Sequence, residues 1–156
     1  MDTTGTFEMA ISLAGQQAIT CMHKHYSVSE WTDFGKANPS ALPFVAASAG
    51  TSDSDFEKMK EVLAAVPGVT MICLDVANGY SEHFVLAVRR YREQFSKHTI
   101  IAGNVVTCEM TEELILSGTS FYCVGKLPAG VSLTAVRGRR SVLYFLLDPL
   151  LLYFAT

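Results

Sequence analysis

The segment Ile72-Cys73-Leu74-Asp75-Val76-Ala77-Asn78-Gly79-Tyr80-Ser81-Glu82-His83-Phe84 decides the fold class. Its apolar first half predicts a buried strand, which runs into a polar turn that contains Gly79. Ser81 then predicts the N-cap of a helix whose first apolar residue is Phe84. A strand that passes through a short polar turn into a helix is the unit of a βα-barrel, and such barrels place their chemistry at these turns.

Further apolar runs repeat this pattern along the chain, about one βα unit apart. Strands are predicted at residues 18–22, 42–47, 69–75, 98–102 and 120–124. Between them, apolar residues recur at helical spacing. The clearest stripes are formed by Phe56, Met59, Leu63 and Val66, by Phe84, Val88, Tyr91 and Phe95, and by Met110 and Leu114. A first helix is predicted over residues 6–14, and Ser27-Val28-Ser29-Glu30 predicts a capping box. Strands that are apolar throughout, with helices between them, predict a parallel sheet.

The composition favours a protein that acts on small molecules. The 156 residues, of which 49% are hydrophobic, can bury one sizeable core without disulfides. A net charge of -3 provides no basic footprint and argues against nucleic acid as a partner. Cys21, Cys73, Cys108 and Cys123 form no C-x-x-C pair, so we expect reduced, mainly buried thiols. The N-terminus lacks the features of a signal peptide, and a cytoplasmic location is expected.

Three segments give the chain a family resemblance. The 72–84 segment and His23-Lys24-His25-Tyr26 resemble GMP reductase, a branch of the superfamily that also contains IMP dehydrogenase. Gly103-Asn104-Val105-Val106-Thr107 is shared by both branches and does not separate them. The resemblance implies an α/β fold, a partial (β/α)8 TIM barrel of about five βα units that resemble strands two to six. The family's first strand would then precede Met1, an internal methionine of a longer ancestor, and its last two strands would be missing. From periodicity alone, a five-stranded doubly wound sheet fits as well.

Polar residues at the carboxyl ends of the predicted strands are the candidate binding residues, because these ends meet at one mouth of a barrel. They are Lys24, Ser48, Thr51, Asp75, Asn78 and Asn104. The resemblance implies that Lys24, Asp75, Val76 and Ala77 bind NADPH, and an ammonium group suits a phosphate. Taken without the resemblance, the residues favour a simpler interpretation, in which Lys24 ends a strand in solvent and Asp75 caps a turn.

The implied reaction is the reductive deamination of GMP to IMP and ammonia with NADPH. In the family a cysteine thiolate attacks the purine from a glycine-rich loop, which also binds a monovalent cation, potassium. The corresponding stretch here is 125–134, and the cysteine position falls on Ser132 and the proton-transfer threonine on Thr134. Leu127 and Ala129 replace loop glycines, so the cation positions Leu127, Ala129 and Ser132 are altered. Because an unassisted serine is a weak nucleophile, we expect no substantial turnover from this chain.

Two regions are therefore predicted. Residues 1–124 form the partial TIM-barrel GMP reductase domain, and residues 125–156 form a divergent loop and an apolar tail. The apolar runs 142–147 and 150–155 are interrupted by Asp148-Pro149 and are too short for a transmembrane segment. The basic residues before them favour at most a weak contact with a membrane surface. The alternative is a tail without selected function, from an alternative exon, a retained intron or a shifted frame.

Three functional interpretations remain open at this point. The first is a truncated GMP reductase that keeps part of the NADPH side and contacts GMP or IMP. The second is a non-catalytic partial-barrel protein that associates with full-length GMP reductase subunits as a homo- or hetero-oligomer. The third is a gene-model fragment without function, whose unpaired strand edges are exposed.

Overall fold

The computed structural model describes residues 4–105, 107–124, 132–138 and 141–147, with side chains described up to residue 120. The chain divides into two compact units, the first ending at Cys73 and the second starting at Leu74. The first unit contains α1 (Phe7–Ala14), β1 (Thr20–Met22), α2 (Val28–Ala37), a short 3-10 helix (Leu42–Phe44), β2 (Val45–Ala49) and α3 (Asp53–Ala65). The strand β3 (Met71–Asp75) crosses the division. The second unit continues with α4 (Glu82–Gln94), β4 (Thr99–Val105), α5 (Cys108–Leu116), β5 (Phe121–Val124), β6 (Ser132–Gly138) and β7 (Ser141–Leu147).

In the first unit, β1 and β2 are parallel neighbours, with Cys21 opposite Ala46. The connection between these strands contains α2, and parallel neighbouring strands need a long crossover connection of this kind. Aromatic rings pack α1 against α2: the Phe7 ring stacks on Phe34 at 4.3 Å and meets Trp31 edge-on at 5.5 Å. Trp31 and Phe34 are buried, so this cluster is part of the core.

In the second unit, β4 and β5 are parallel, whereas β5–β6 and β6–β7 are antiparallel. The parallel pairing predicted for the five strands is confirmed for β1–β2 and β4–β5, whereas β6 and β7 lie in the region that the sequence analysis assigned to a divergent loop and an apolar tail. The physical reason for the antiparallel pairing of β6 and β7 is the length of the connections. Parallel neighbours need a crossover of about a dozen residues or more, and the chain offers only residues 125–131 before β6 and residues 139–140 before β7.

All five α-helices in the described part of the chain begin after a serine or threonine N-cap. Thr6, Ser27, Ser52, Ser81 and Thr107 each accept a hydrogen bond from the backbone N–H three residues later. Such a cap contributes about 1 kcal/mol to helix stability. The predicted capping box is confirmed, because the Glu30 carboxylate also accepts from the Ser27 N–H at 2.7 Å. Hydrogen bonds from the Ser27 side chain and backbone lower the pKa of Glu30.

The five strands predicted from apolar runs are confirmed as β1 to β5, with bounds that differ by a few residues. The predicted helical stripes of α3 and α4 are buried, as the pattern requires. Cys73 is buried and Cys21 is half-buried, but Cys108 is exposed, because it opens the solvent-facing first turn of α5. None of the helices in the described ranges is long and apolar enough to cross a membrane.

Candidate functional site

A cleft in the first unit contains Lys24, which follows β1. The cleft is small and partly open to solvent. It is lined by Lys24, Tyr26, Trp31, Ala47, Ser48, Ala49, Asp55, Lys58, Met59 and Val62. The predicted proximity of Lys24 and Ser48 is confirmed, because the carboxyl ends of the parallel strands β1 and β2 lie side by side. The Lys24 side chain is 50% exposed, so its ammonium group is accessible to an anion.

Two charged residues of α3 hold Lys24. Its Nζ lies 3.5 Å from Oδ2 of Asp55, whose side chain is 20% exposed. The Nζ of Lys58 donates to the backbone carbonyl of Lys24 at 2.7 Å. The main chain of Lys24 is thus fixed by one residue, and its side chain is paired by another. An exposed ion pair of this kind contributes about 0–1 kcal/mol to stability, so the pairing does little for the fold.

Gly50 makes room for this ion pair. A Cβ at Gly50 would lie 2.5 Å from Oδ2 of Asp55 and 3.6 Å from Nζ of Lys24. Any larger residue at this position would push the carboxylate away from its present place. The neighbouring turn Gly50-Thr51-Ser52 leads directly into α3, and Ser52 caps that helix through the Asp55 N–H at 3.1 Å.

The second unit holds the other predicted cofactor residues: Asp75 ends β3, and Val76 and Ala77 follow it in the connection to α4. Asp75 and Ala77 are exposed, and Val76 is half-buried. The backbone of Val76 is bonded on both sides: its N–H donates to Gly103 O at 3.0 Å, and its carbonyl accepts from Asn104 N at 3.2 Å. The main chain of Val76 is therefore engaged with the end of β4. Of these three residues, Asp75 and Ala77 expose their side chains to solvent.

Gly79 brings this loop against β4. Its N–H donates to Asn104 O at 2.9 Å, and a Cβ at Gly79 would lie only 2.7 Å from that oxygen and 2.8 Å from Val105 Cγ1. The Tyr80 hydroxyl then accepts from the Thr107 N–H at 2.9 Å. Two βα loops are thus joined mainly through backbone groups, which requires a residue without a side chain at Gly79.

Asn104 carries an unused polar atom at this place. Its Oδ1 is buried and has no hydrogen-bond partner among the described residues. A buried acceptor without a partner costs free energy, and such groups are rare away from functional places. The sequence prediction that polar residues follow the strand ends is confirmed for Asn78, which follows β3, whereas Asp75 is the last residue of β3 and Asn104 lies within β4. The backbone of Val76 and Gly79 is bonded to that of Asn104.

The predicted catalytic positions lie elsewhere in the second unit. Ser132 and Thr134 belong to β6, where Ser132 is opposite Leu147 and Thr134 is opposite both Cys123 and Phe145. Leu127 and Ala129, the altered potassium positions, fall outside the described residues. The roles of all four residues stay predictions.

His23 and His25 lie on either side of Lys24, and two imidazoles at this spacing can in principle share a metal ion. The His23 ring stacks on Tyr26 at 4.0 Å, and its Nδ1 accepts from the His25 N–H at 3.3 Å. Among the residues whose side chains are described, no group of three His, Cys, Asp or Glu residues could hold a metal ion.

Asp55 and Lys58 are the site residues that sequence reasoning missed. They lie three residues apart on α3 and more than thirty residues beyond Lys24, so no local pattern connects them to it. The available signal was the small-residue run Ala49-Gly50-Thr51-Ser52 directly before α3, which allows a close approach of the first helical turn.

Repeated βα units with polar groups at the strand ends define a protein of the βα-barrel class. The chain belongs to the IMP dehydrogenase / GMP reductase domain family, whose match covers residues 1–139 and extends past Val124. Human GMP reductase 2 is 55% identical over 134 residues, which is 86% of this chain and 38% of that protein. GMP reductase from Salmonella typhi is 54% identical over 138 residues, which is 88% of this chain and 40% of that protein.

Among solved structures, inosine 5' monophosphate dehydrogenase from Legionella pneumophila matches with a TM-score of 0.69 and 22% identity. The match covers 80% of this chain and 38% of that chain, and it supports the fold alone. The α/β fold class, with βα units of part of a TIM barrel, is thereby confirmed. The chain spans about two fifths of the length of the relatives that it matches.

Proposed function

We propose that this chain carries part of the NADPH side of a GMP reductase and does not itself reduce GMP at a substantial rate. The observation that carries the proposal is the identity of more than half of the residues to GMP reductases over a segment that contains Lys24 and the 75–77 loop. The relatives are named as GMP reductases. We extend to this chain, as part of the proposal, the purine nucleotides GMP and IMP, the reductase reaction and a cytoplasmic location.

In each unit taken by itself, the accessible groups suit a part of a dinucleotide cofactor. The half-exposed Lys24 ammonium suits a phosphate oxygen. The exposed Asp75 carboxylate can accept hydrogen bonds from a ribose hydroxyl or a carboxamide. Val76 would contribute through its side chain, since its backbone is engaged, and Ala77 leaves room for close approach. The cofactor, when bound, supplies a hydride, and these residues bind and orient it.

The second part of the proposal is that this chain lacks the catalytic nucleophile of the family. At the family's cysteine position this chain has Ser132, and a serine without a neighbouring base is a poor nucleophile at neutral pH. Thr134 would retain the position of the proton-transfer threonine, and the cation positions Leu127 and Ala129 lack the family's glycines. Potassium binding is accordingly not part of the proposed function.

Titration of the full chain with NADPH, followed by the fluorescence of the reduced nicotinamide, tests the proposal. Removing a charge-assisted hydrogen bond costs about 1.5–3 kcal/mol, so we expect Lys24→Met to weaken binding by about ten- to hundredfold. Lys36→Met is the matched control, because Lys36 is an exposed lysine in the last turn of α2 and should leave binding unchanged. Lack of NADPH binding, or an equal effect of both substitutions, would contradict the proposal.

A second candidate function is association with full-length GMP reductase subunits. Two exposed leucines of the second unit favour it, Leu86 at 54% exposure and Leu116 at 74% exposure. Native mass spectrometry of the chain mixed with an intact GMP reductase would show a mixed oligomer. If Leu116→Lys does not reduce the fraction of that oligomer, this surface is not the contact.

A further inference from the structure

Asp55 stands in a position where it competes with any anion that approaches Lys24. Its Oδ2 lies 3.5 Å from Nζ of Lys24, the atom that would receive a phosphate oxygen. Both side chains line the same open cleft. A carboxylate and a phosphate cannot both take the same place beside one ammonium without repelling each other.

The Asp55 carboxylate keeps other favourable interactions when its ion pair with Lys24 opens. Asp55 is the third residue of α3, and a negative charge in the first turn of a helix is stabilised by the helix dipole. Its side chain is 20% exposed and so keeps access to water. Asp55 therefore has other favourable interactions after the ion pair opens.

Lys24 can exchange partners by moving its side chain alone. The Lys58 ammonium holds the Lys24 carbonyl at 2.7 Å, which fixes the backbone at this point. The Lys24 side chain is half exposed, and exposed ion pairs are weak. The exchange of a carboxylate for a phosphate then needs no movement of β1 or α3.

We propose that Asp55 sets the anion affinity of the Lys24 cleft, by pairing with Lys24 in the free chain and yielding it to a phosphate group of the ligand. The inference rests on the proposed function, because it takes Lys24 as the residue that binds a cofactor phosphate. Gly50 contributes to this arrangement, because a side chain at this position would displace the Asp55 carboxylate from Lys24. Asp55 thus acts as a determinant of affinity and ligand charge without being a catalytic residue.

The test is the dissociation constant of the full chain for NADPH at low ionic strength. Asp55→Asn keeps the shape of the side chain and removes its charge. Because one unit of repulsion at a separation of about 6 Å is removed, we expect binding to become about three- to tenfold tighter. A misfolded variant would bind more weakly, so tighter binding cannot arise from damage to the fold.

Glu57→Gln is the matched control. It removes a carboxylate from the same helix, but from a residue that pairs with Lys60 at 2.9 Å. We expect the control to change the affinity by less than about twofold, because its exposed charge is screened by solvent. In the Lys24→Met background, Asp55→Asn should give no more tightening than the control, since the competition requires the ammonium group.

The possible results separate the two proposals. If the unmodified chain binds NADPH and Asp55→Asn tightens this binding in a way that depends on Lys24, the inference is supported. If Lys24→Met weakens binding but Asp55→Asn leaves it unchanged or weaker, the inference fails and the proposed function stands. If the unmodified chain does not bind NADPH, both are overturned.

Discussion

The Lys24 cleft and the 75–80 loop are held in different ways. At the cleft, side chains hold Lys24: a carboxylate pairs with its ammonium, and a second lysine binds its carbonyl. At the loop, the backbone of Val76 and Gly79 is bonded to the backbone of Gly103 and Asn104. Exposed side-chain pairs are weak and exchangeable, whereas a buried backbone group that loses its partner costs the full desolvation penalty. The ion pair in the cleft can therefore exchange partners readily, whereas the backbone hydrogen bonds keep the loop in a fixed geometry.

The largest effect on stability is expected from substitution of Arg92, which lies in the last turn of α4. Its side chain, like the 75–80 loop, is bonded mainly to backbone groups. Its guanidinium donates to Gly118 O at 2.6 Å, to His98 O at 2.8 Å and to Ser120 Oγ at 3.0 Å. Because Arg92→Ala leaves these part-buried acceptors without a donor, we expect the free energy of unfolding to fall by about 2–4 kcal/mol. Urea denaturation measures it. Arg92→Lys keeps a charge but not the fork of donors and should fall in between; no loss in either variant would contradict the role.

A pair of glycine substitutions compares the two regions directly. At Gly79 a Cβ meets backbone and a buried valine, so Gly79→Ala should lower the free energy of unfolding by about 1–3 kcal/mol. At Gly50 the nearest atom is the end of the Asp55 side chain, which can rotate away, so Gly50→Ala should cost less than about 1 kcal/mol. Thermal melts of both variants rank them. Equal losses would show that the cleft is as rigidly held as the loop.

The smallest effect is expected from His98, whose carbonyl binds Arg92. Burial and the nearby Arg92 charge lower the pKa of the His98 imidazole below 6.5, and its Nδ1 has no partner among the described residues. The unfolded chain therefore takes up the proton first as the pH falls. The stability from neutral His98 is full above pH about 6.5 and is lost as the pH falls below that value toward the folded-state pKa.

Urea midpoints at neutral and mildly acidic pH measure this dependence for the unmodified chain and for His98→Gln. We expect a shallower fall in the variant, because it has no imidazole to protonate. An identical pH dependence in the two proteins would rule out His98 as a contributor.

Local patterns were sufficient for the βα part of the chain. Ser27 and Ser81 cap helices through atoms three residues away, and the apolar stripes of α3 and α4 follow from helical periodicity. The strands β1 to β5 are short apolar runs between such helices. These signals depend on neighbours in sequence, and therefore they can be read without the fold.

The site depends on contacts that no local pattern contains. Lys24 was predicted from a strand end and a family motif, but its partners Asp55 and Lys58 come from a helix more than thirty residues later. The strands β6 and β7 and their antiparallel pairing were not predicted, because residues 125–156 were interpreted as a divergent loop and an apolar tail. Direction followed from connection length once the strands were placed.

The sequence by itself determined the family, the βα units, the caps of α2 and α4, and the identity of Lys24 and Asp75 as strand-end polar residues. Only the tertiary structure decided what those residues touch: Asp55 beside Lys24, the backbone of β4 against Val76, and the close approach that requires Gly79. The physical reason is range. Caps and periodicity act over three or four residues, whereas an ion pair or a packed glycine depends on distances that only the folded chain defines.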